Sequence, residues 1–200
     1  MDWIRDLDSL EALYGSPPEA AMIKVAPHLT PSYRRWIEAS RFCLVATVGA
    51  GGADCSPRGD DGPVVTALDP QTLAIPDWRG NNRIDTLRNI VTDGRIALAF
   101  LVPGSNTVIR VNGTARLTAD PEMTQRFLQS GRHPRSVIVI RIAEVYSQCA
   151  RALMRAGLWT RDDAAGLPSV GDILHEIAEG AFDGGTYDAQ WAARARETMW

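Results

Sequence analysis

The sequence reads as a mainly β protein: one antiparallel barrel, closed or two-layered, with helices at both ends. Three observations point there. Between residues 41 and 148 the chain carries several short runs rich in Val, Ile, Thr and Phe, separated by Gly- and Pro-bearing turns. On either side of that region the apolar residues recur at helical spacing. No internal repeat or low-complexity segment interrupts the chain, so residues 1–200 are expected to form a single domain, with helices in 1–40 and 149–200 around a barrel in 41–148.

Taken in order, Trp3, Ile4, Leu7, Leu10, Leu13 and Tyr14 form a first helical stripe, stopped by Gly15-Ser16-Pro17-Pro18. A short second helix is expected after Pro18. Thr30-Pro31 has the form of a cap followed by Pro at the first helical position, opening a helix through Ser40. Phe42 to Val48 then reads as a strand, Gly49-Ala50-Gly51-Gly52 as a hairpin turn, and Ala53 to Arg58 as the returning strand. Val64 to Leu68 and Thr72 to Ile75 flank the turn Asp69-Pro70-Gln71. A helix is expected over Arg83 to Val91, with Ile84, Leu87, Ile90 and Val91 on one face, Asn82 and Asp85 as a capping pair, and Asp93-Gly94 as its end. Arg95 to Val102 is almost wholly apolar and suits a strand buried on both faces. Thr107 to Leu117 alternates, with Ile109, Val111, Ala115 and Leu117 opposite Arg110, Asn112, Thr114 and Arg116. A helix over Pro121 to Gln129 precedes the last strand, Ser136 to Tyr146. Helices follow at Ala150 to Ala156, along the stripe Val170, Ile173, Leu174, Ile177 and Ala178, and from Tyr187 to Trp200.

Composition sets limits on function. Hydrophobic residues make up 45% and charged residues 22%, which excludes a disordered or fibrous chain. The formal net charge of -3 gives no electrostatic footprint for a general nucleic-acid binder. Cys43, Cys55 and Cys149 are odd in number and form no Cys-x-x-Cys pair, while His28, His133 and His175 are far apart, so neither disulfides nor a metal site is expected. Met1-Asp2-Trp3-Ile4-Arg5-Asp6 has acids where a signal peptide needs a basic stretch and an apolar run, so a cytoplasmic protein is expected. Of 21 basic residues Lys24 is the sole lysine and 20 are arginine, the side chain suited to bidentate phosphate recognition. Most of that excess reads as composition bias, but where individual arginines fall is a separate matter.

Gly49-Ala50-Gly51-Gly52 lacks the third glycine of a dinucleotide fingerprint and the Lys-Ser/Thr of a P-loop, and no Gly-x-Ser-x-Gly elbow exists. The informative segment is Ile75 to Asn89. It runs from a strand end, through a polar loop, into a helix N-terminus, where backbone N–H groups and the helix dipole favour an anion. Arg79 and Arg83 flank that loop, and Asn81 and Asn82 add donors; the number of donors favours a phosphate over a carboxylate. Taken alone, the loop reads more readily as a capped helix with solvated arginines, and Arg58 as a surface Arg near a turn.

Order and spacing shift that balance. Cys55-Ser56-Pro57-Arg58-Gly59-Asp60 is followed by Leu73-Ala74-Ile75-Pro76-Asp77, Arg79-Gly80-Asn81-Asn82-Arg83, Asp85-Thr86 and Arg88-Asn89-Ile90; Gly94-Arg95-Ile96-Ala97-Leu98 and Arg110-Val111-Asn112-Gly113 come next. In these segments, from Phe42 to Trp159, the chain resembles the pyridoxamine 5′-phosphate oxidase-like proteins, the FMN-binding split-barrel family. The resemblance implies a homodimer of six-stranded antiparallel Greek-key barrels with FMN at each subunit interface. By position, Arg58 would approach the flavin or its phosphate, with Asp60 ending the same segment. Ile75, Pro76 and Asp77 would line the ring system and ribityl chain, while Asn81, Asn82 and Arg83, with Arg79 as an extra ligand, would hold the phosphate. Arg110 and Asn112, which alternation puts on the polar face of their strand, would reach the cofactor or the partner subunit. Arg155, four residues from the like-charged Arg151, and Trp159 would reach the partner's pocket; a solvated helix face explains that pair equally well.

The chain departs from the oxidases in two places. It has Asn81-Asn82-Arg83 where they carry Ser-Arg-Lys, and it lacks their C-terminal Trp-x-Arg-Leu ending. Oxidation of vitamin B6 phosphates is therefore not expected. The resemblance implies instead an FMN-binding flavoprotein, an FMN-dependent oxidoreductase acting on an unidentified small molecule. The alternative is a non-enzymatic binder of flavin, deazaflavin or haem. The resemblance implies no particular side chain as catalytic acid or base.

Overall fold

The computed structural model describes residues 1–199. Its elements in chain order are α1 (Leu7–Tyr14), α2 (Glu19–Ile23), α3 (Pro31–Ala39), β1 (Phe42–Gly49), β2 (Gly52–Gly59), β3 (Thr66–Asp69), β4 (Thr72–Pro76), α4 (Asp85–Thr92), β5 (Arg95–Leu101), β6 (Val108–Thr118), α5 (Pro121–Thr124), β7 (Val137–Gln148), α6 (Arg151–Ala156), α7 (Val170–Ile177) and α8 (Gly184–Thr198). The strands form one sheet in the order β2-β1-β5-β6-β7-β4-β3. Every pairing is antiparallel. The mainly β architecture with flanking helices is as expected. The count of seven strands differs from the six that the resemblance implies and matches the seven runs read along the chain: the Asp69-Pro70-Gln71 turn folds a four-residue β3 back on β4, with an irregularity in register between Ala67 and Asp69.

Two long strands make the curvature. β6 and β7 run together for most of their length, with β5 continuing the sheet beyond β6 and β4 beyond β7. A register shift between Asn112 and Gly113 bends β6. At that bulge the backbones come so close that a Cβ on Gly113 would drive into the Arg141 carbonyl. The enclosed core alternates as period-2 patterning demands: Cys43 and Val45 from β1, Leu98 and Phe100 from β5, Ile109 and Val111 from β6, Ile138 and Ile140 from β7 are all buried.

One helix supports each end of this core. The Thr30 hydroxyl caps α3 as expected, accepting from the Tyr33 N–H at 3.3 Å, and α3 buries Ile37 completely. α4 buries Thr86 and Ile90 against the other end, where Asn89 Nδ2 donates to Thr47 Oγ1 at 3.1 Å. Glycine at position 49 leaves room for that Asn89 side chain, which a Cβ would strike. The termini are more loosely attached: α1 buries no residue, and α7 lies against α8 where Gly171 and Gly184 bring the backbones together.

Several boundaries differ from expectation. The helix expected over Arg83 to Val91 begins at Asp85, without the Asn82–Asp85 capping pair, because Asn82 and Ile84 both adopt left-handed backbone (φ 61 and 53). The helix expected through Gln129 ends at Thr124, and Ser130 and Gly131 turn with positive φ. The strand expected from Val64 starts at Thr66; Val64 and Val65 are buried, but Val64 donates its N–H to the Ser40 carbonyl outside the sheet. β5 is fully buried on one face only, since Ala97, Ala99 and Leu101 on the other are half-exposed. The last helix starts at Gly184, and the expected helical Trp200 lies outside the described residues.

Gly113→Ala is expected to lower unfolding free energy by about 2–3 kcal/mol, the upper range for forcing atoms into a packed site. Urea denaturation checks this, and Gly51→Ala, where a Cβ meets nothing, is the control. The thiols give a second check. Burial pushes the Cys43 thiol up to about 12, against the opposing charge of Arg58. The exposed Cys149 thiol is held below its ordinary value by a hydrogen bond from the Arg151 backbone N–H, aided by the Arg151 charge. The lower value favours the reactive thiolate. Iodoacetamide with mass-spectrometric mapping should therefore modify Cys149 in the folded protein and Cys43 only after unfolding.

Candidate functional site

The site is built from β2 outward. Alternation puts Asp54, Ser56 and Arg58 on one face of the strand, and the loop leaving β4 passes over them. That loop starts rigidly. The Asp77 N–H donates to the Ser136 carbonyl at 2.9 Å, which carries the pairing of β4 and β7 one residue further. The Asp77 carboxylate turns to β2, where its Oδ1 lies 2.5 Å from Arg58 Nη1. These two side chains are only 18% and 21% exposed, so their attraction is far less screened than a surface pair's.

Between β2, the loop and the first turn of α4 lies a cavity of about 650 Å³. Four arginines line it (Arg58, Arg79, Arg83 and Arg135) against three aspartates, Asp54, Asp77 and Asp85. The loop takes two left-handed residues, Asn82 and Ile84. Asn is tolerant there, whereas a β-branched Ile is an outlier costing on the order of 1–2 kcal/mol. The Asn81 side chain stabilises the turn by accepting from the Arg83 N–H at 3.1 Å. Ile84 then occupies the cap position of α4, so no side chain caps that helix. Arg83 Nε donates to Asp85 Oδ2 at 2.9 Å, and Arg88 lies 3.6 Å from Oδ1 of the same carboxylate. Deeper in, Asp54 Oδ2 accepts from Thr86 Oγ1 at 2.7 Å and from Ser56 Oγ at 3.2 Å.

The structure brings Arg58, Asp77, Arg79, Asn81, Asn82 and Arg83 to one cavity. Ile75 and Pro76 end β4 as buried residues beneath the loop, not in its lining. Asp60 stands behind the wall, accepting from Trp78 Nε1 at 2.7 Å. Three expected contributors lie elsewhere in the chain. The Arg110 guanidinium sits 5.2 Å from the centre of the Tyr146 ring, Trp159 Nε1 donates to the Ser105 carbonyl at 2.7 Å, and Arg155 is exposed on α6. Asn112 is held by Glu144 Oε1 at 2.7 Å. Sequence reasoning missed Asp54, Ser56, Trp78, Thr86 and Arg135. The period-2 strip ending at Arg58 could have given the first two, but nothing local marks Arg135, which arrives just ahead of β7.

Asp77→Ala would leave Arg58 largely buried and unpaired, and is expected to cost about 2–4 kcal/mol, below the full range for a wholly buried pair. Asp77→Asn, which keeps an acceptor, should cost less. Urea unfolding of both variants checks the order.

The fold and cavity define an antiparallel split barrel with a cationic cleft beside its open seam. Sequence comparison supplies the family: the profile described as pyridoxamine 5′-phosphate oxidase matches residues 29–149, more than half of the chain. The protein belongs to the pyridoxamine 5′-phosphate oxidase-like family. No curated protein matches it. Among solved structures it is similar to a Lactobacillus delbrueckii protein provisionally named a pyridoxamine 5′-phosphate oxidase, at 25% identity and TM-score 0.49, over 60% of this chain and 95% of that one. It is also similar to HupZ of Group A Streptococcus (20% identity, TM-score 0.47, 60% and 93% covered) and to general stress protein 26 of Bacillus anthracis (14%, 0.44, 56% and 88%).

Proposed function

We propose that the protein is an FMN-binding flavoprotein, acting as an FMN-dependent oxidoreductase on a small molecule. The observation that carries this reading is the meeting of Arg58, Arg79 and Arg83 with the uncapped N-terminus of α4 in one cavity. An uncapped helix start has N–H groups to offer an anion, and guanidinium groups match a phosphate's geometry. The volume, about 650 Å³, falls within the usual range for cofactor and ligand sites. The residues present therefore fit a flavin mononucleotide: Arg83, with Asn81, Asn82 and Arg79, would hold its phosphate, and Arg58 and Asp77 its polar chain. The bound flavin would supply hydride or electron transfer. The chain's own part is to bind, orient and shield it from water.

We further propose that the working form is a homodimer and that it resides in the cytoplasm. No helix among the described residues is long and apolar enough to cross a membrane, which is compatible with that location. The outward face of the sheet supports the dimer. Phe42, Leu44 and Val48 of β1 stand beside Pro57, Cys55 and Ala53 of β2, with Ala97, Ala99 and Leu101 of β5 on the other flank. A contiguous apolar face of this kind is characteristic of an association surface. The same burial would explain why β5 carries no polar residue between Ile96 and Leu101. Arg110 pairs with Ala99 at the margin of this face, where a second subunit would reach it. In that assembly Arg155 and Trp159 are the further candidates for contact with the partner's pocket.

Purified protein is expected to show flavin absorbance, either as isolated or after incubation with FMN, and identification of the released ligand separates FMN from deazaflavin and haem. A protein colourless under both conditions would overturn the proposal. Arg83→Ala should weaken FMN by about 1–3 kcal/mol, the range for a charge-assisted hydrogen bond. Reduction of bound flavin by NADH or NADPH distinguishes an oxidoreductase from a carrier, and light scattering of the eluting protein reads the dimer.

A further inference from the structure

Trp78 is the one aromatic side chain among the described residues that line the cavity, in a wall otherwise dominated by charged and polar groups. Its only polar atom is committed elsewhere. The indole N–H donates at 2.7 Å to Asp60 Oδ2, and Asp60 is not a lining residue. Asp60 is itself held from a distant part of the chain, because Gln129 Nε2 donates to its other oxygen at 3.2 Å. Gln129 belongs to the small turn closed by the Gln129–Arg132 bridge. A tryptophan with its N–H satisfied behind the wall has carbon and π surface to give the cavity. An indole pinned at one end also loses little freedom when a ring settles on it.

We propose that Trp78 is a ring platform that makes this cavity selective for monophosphates carrying a planar aromatic ring over aliphatic sugar phosphates, with Asp60 and Gln129 as its positioning residues. The inference rests on the phosphate-binding reading above and deepens it. The arginines answer for the phosphate, and Trp78 answers for what is attached to it. A phosphate on a wholly aliphatic group meets only the first, whereas one whose molecule also carries an aromatic ring meets both.

Isothermal titration of the full chain with FMN, 4-nitrophenyl phosphate and ribose 5-phosphate tests this. Wild type should bind the two ring-bearing phosphates more tightly than ribose 5-phosphate. Trp78→Leu should lose about tenfold in affinity for the ring-bearing phosphates, the scale of an aromatic contact, and leave ribose 5-phosphate unchanged, which also shows that the variant is folded. Trp78→Phe should restore most of the loss. FMN fluorescence should be quenched on wild type and recover on Trp78→Leu. For the positioning role, Asp60→Ala should relieve part of that quenching, while Asp60→Asn, which still accepts the indole N–H, should keep it. Unchanged FMN affinity and quenching in Trp78→Leu, or an equal loss for ribose 5-phosphate, would overturn the platform. If wild type ignores FMN but binds 4-nitrophenyl phosphate in a Trp78-dependent way, the FMN reading fails and the platform stands.

Discussion

The contact between Arg58 and Asp77 holds together two parts of the barrel that the sheet leaves unjoined. β2 is one end of the seven-stranded order, and β4 lies next to the other. Hydrogen-bonded ladders run from β2 through five intervening pairings to β4, but not directly from one to the other. The ion pair crosses that seam, and with both partners about four-fifths buried it acts in a medium of lower dielectric than the surface. Much of the site follows from it. The first residue of the loop is fixed to Ser136 on one side and to β2 on the other. The residues after it must therefore climb over the seam before α4 can begin.

That climb accounts for the strained turn. Asn82 and Ile84 adopt left-handed backbone within three residues, and Ile84 pays the steric cost of a β-branched side chain there. Strain of this kind persists only where surrounding structure fixes it. Here α4 is anchored by buried Thr86 and Ile90, and the loop start is anchored by Asp77. With both ends fixed, the intervening residues take whatever path closes the gap. One consequence is that α4 starts two residues late, with an aliphatic side chain at the position where a capping oxygen normally sits. Its first N–H groups are left for something other than a cap, at the edge of an arginine-lined cavity.

The sequence made the regular parts legible because their signals are periodic. Ile109, Val111 and Ala115 point inward where alternation says they should, and Thr30-Pro31 opens α3 as its residue types require. The errors fall where a long-range contact overrides a local preference. Asn82 with Asp85 has the spacing of a capping pair, but the path forced on the loop puts Asn82 in a left-handed turn and gives Asp85 to Arg83 and Arg88. Pro121 starts a helix as expected, yet Gln129 leaves that register for a turn and for Asp60, sixty-nine residues away in sequence. Asp77 to Arg83 was legible as the wall of one cavity because one continuous segment carries it. Arg135 and Trp78 went unassigned for a different reason: their importance depends on what lies opposite them, which spacing does not encode.

The near-neutral total charge similarly conceals how the arginines are deployed. Arg58 is held by a single Nη1 contact to Asp77, and a guanidinium has five N–H groups in a rigid fork. Binding a phosphate there does not require breaking the pair. The carboxylate instead fixes the orientation of the fork and leaves its remaining donors to other acceptors, so the ordering cost is met before any ligand arrives. Arg83 is arranged the same way, with Nε on Asp85 and its terminal nitrogens outside that contact. A lysine has no such division, since it is a compact point charge on a flexible stem and a carboxylate neighbour would compete directly with the phosphate. Carboxylates among the arginines of one cavity are thus compatible with anion binding, because Asp77 aligns Arg58 and Asp85 aligns Arg83 without using up their donors.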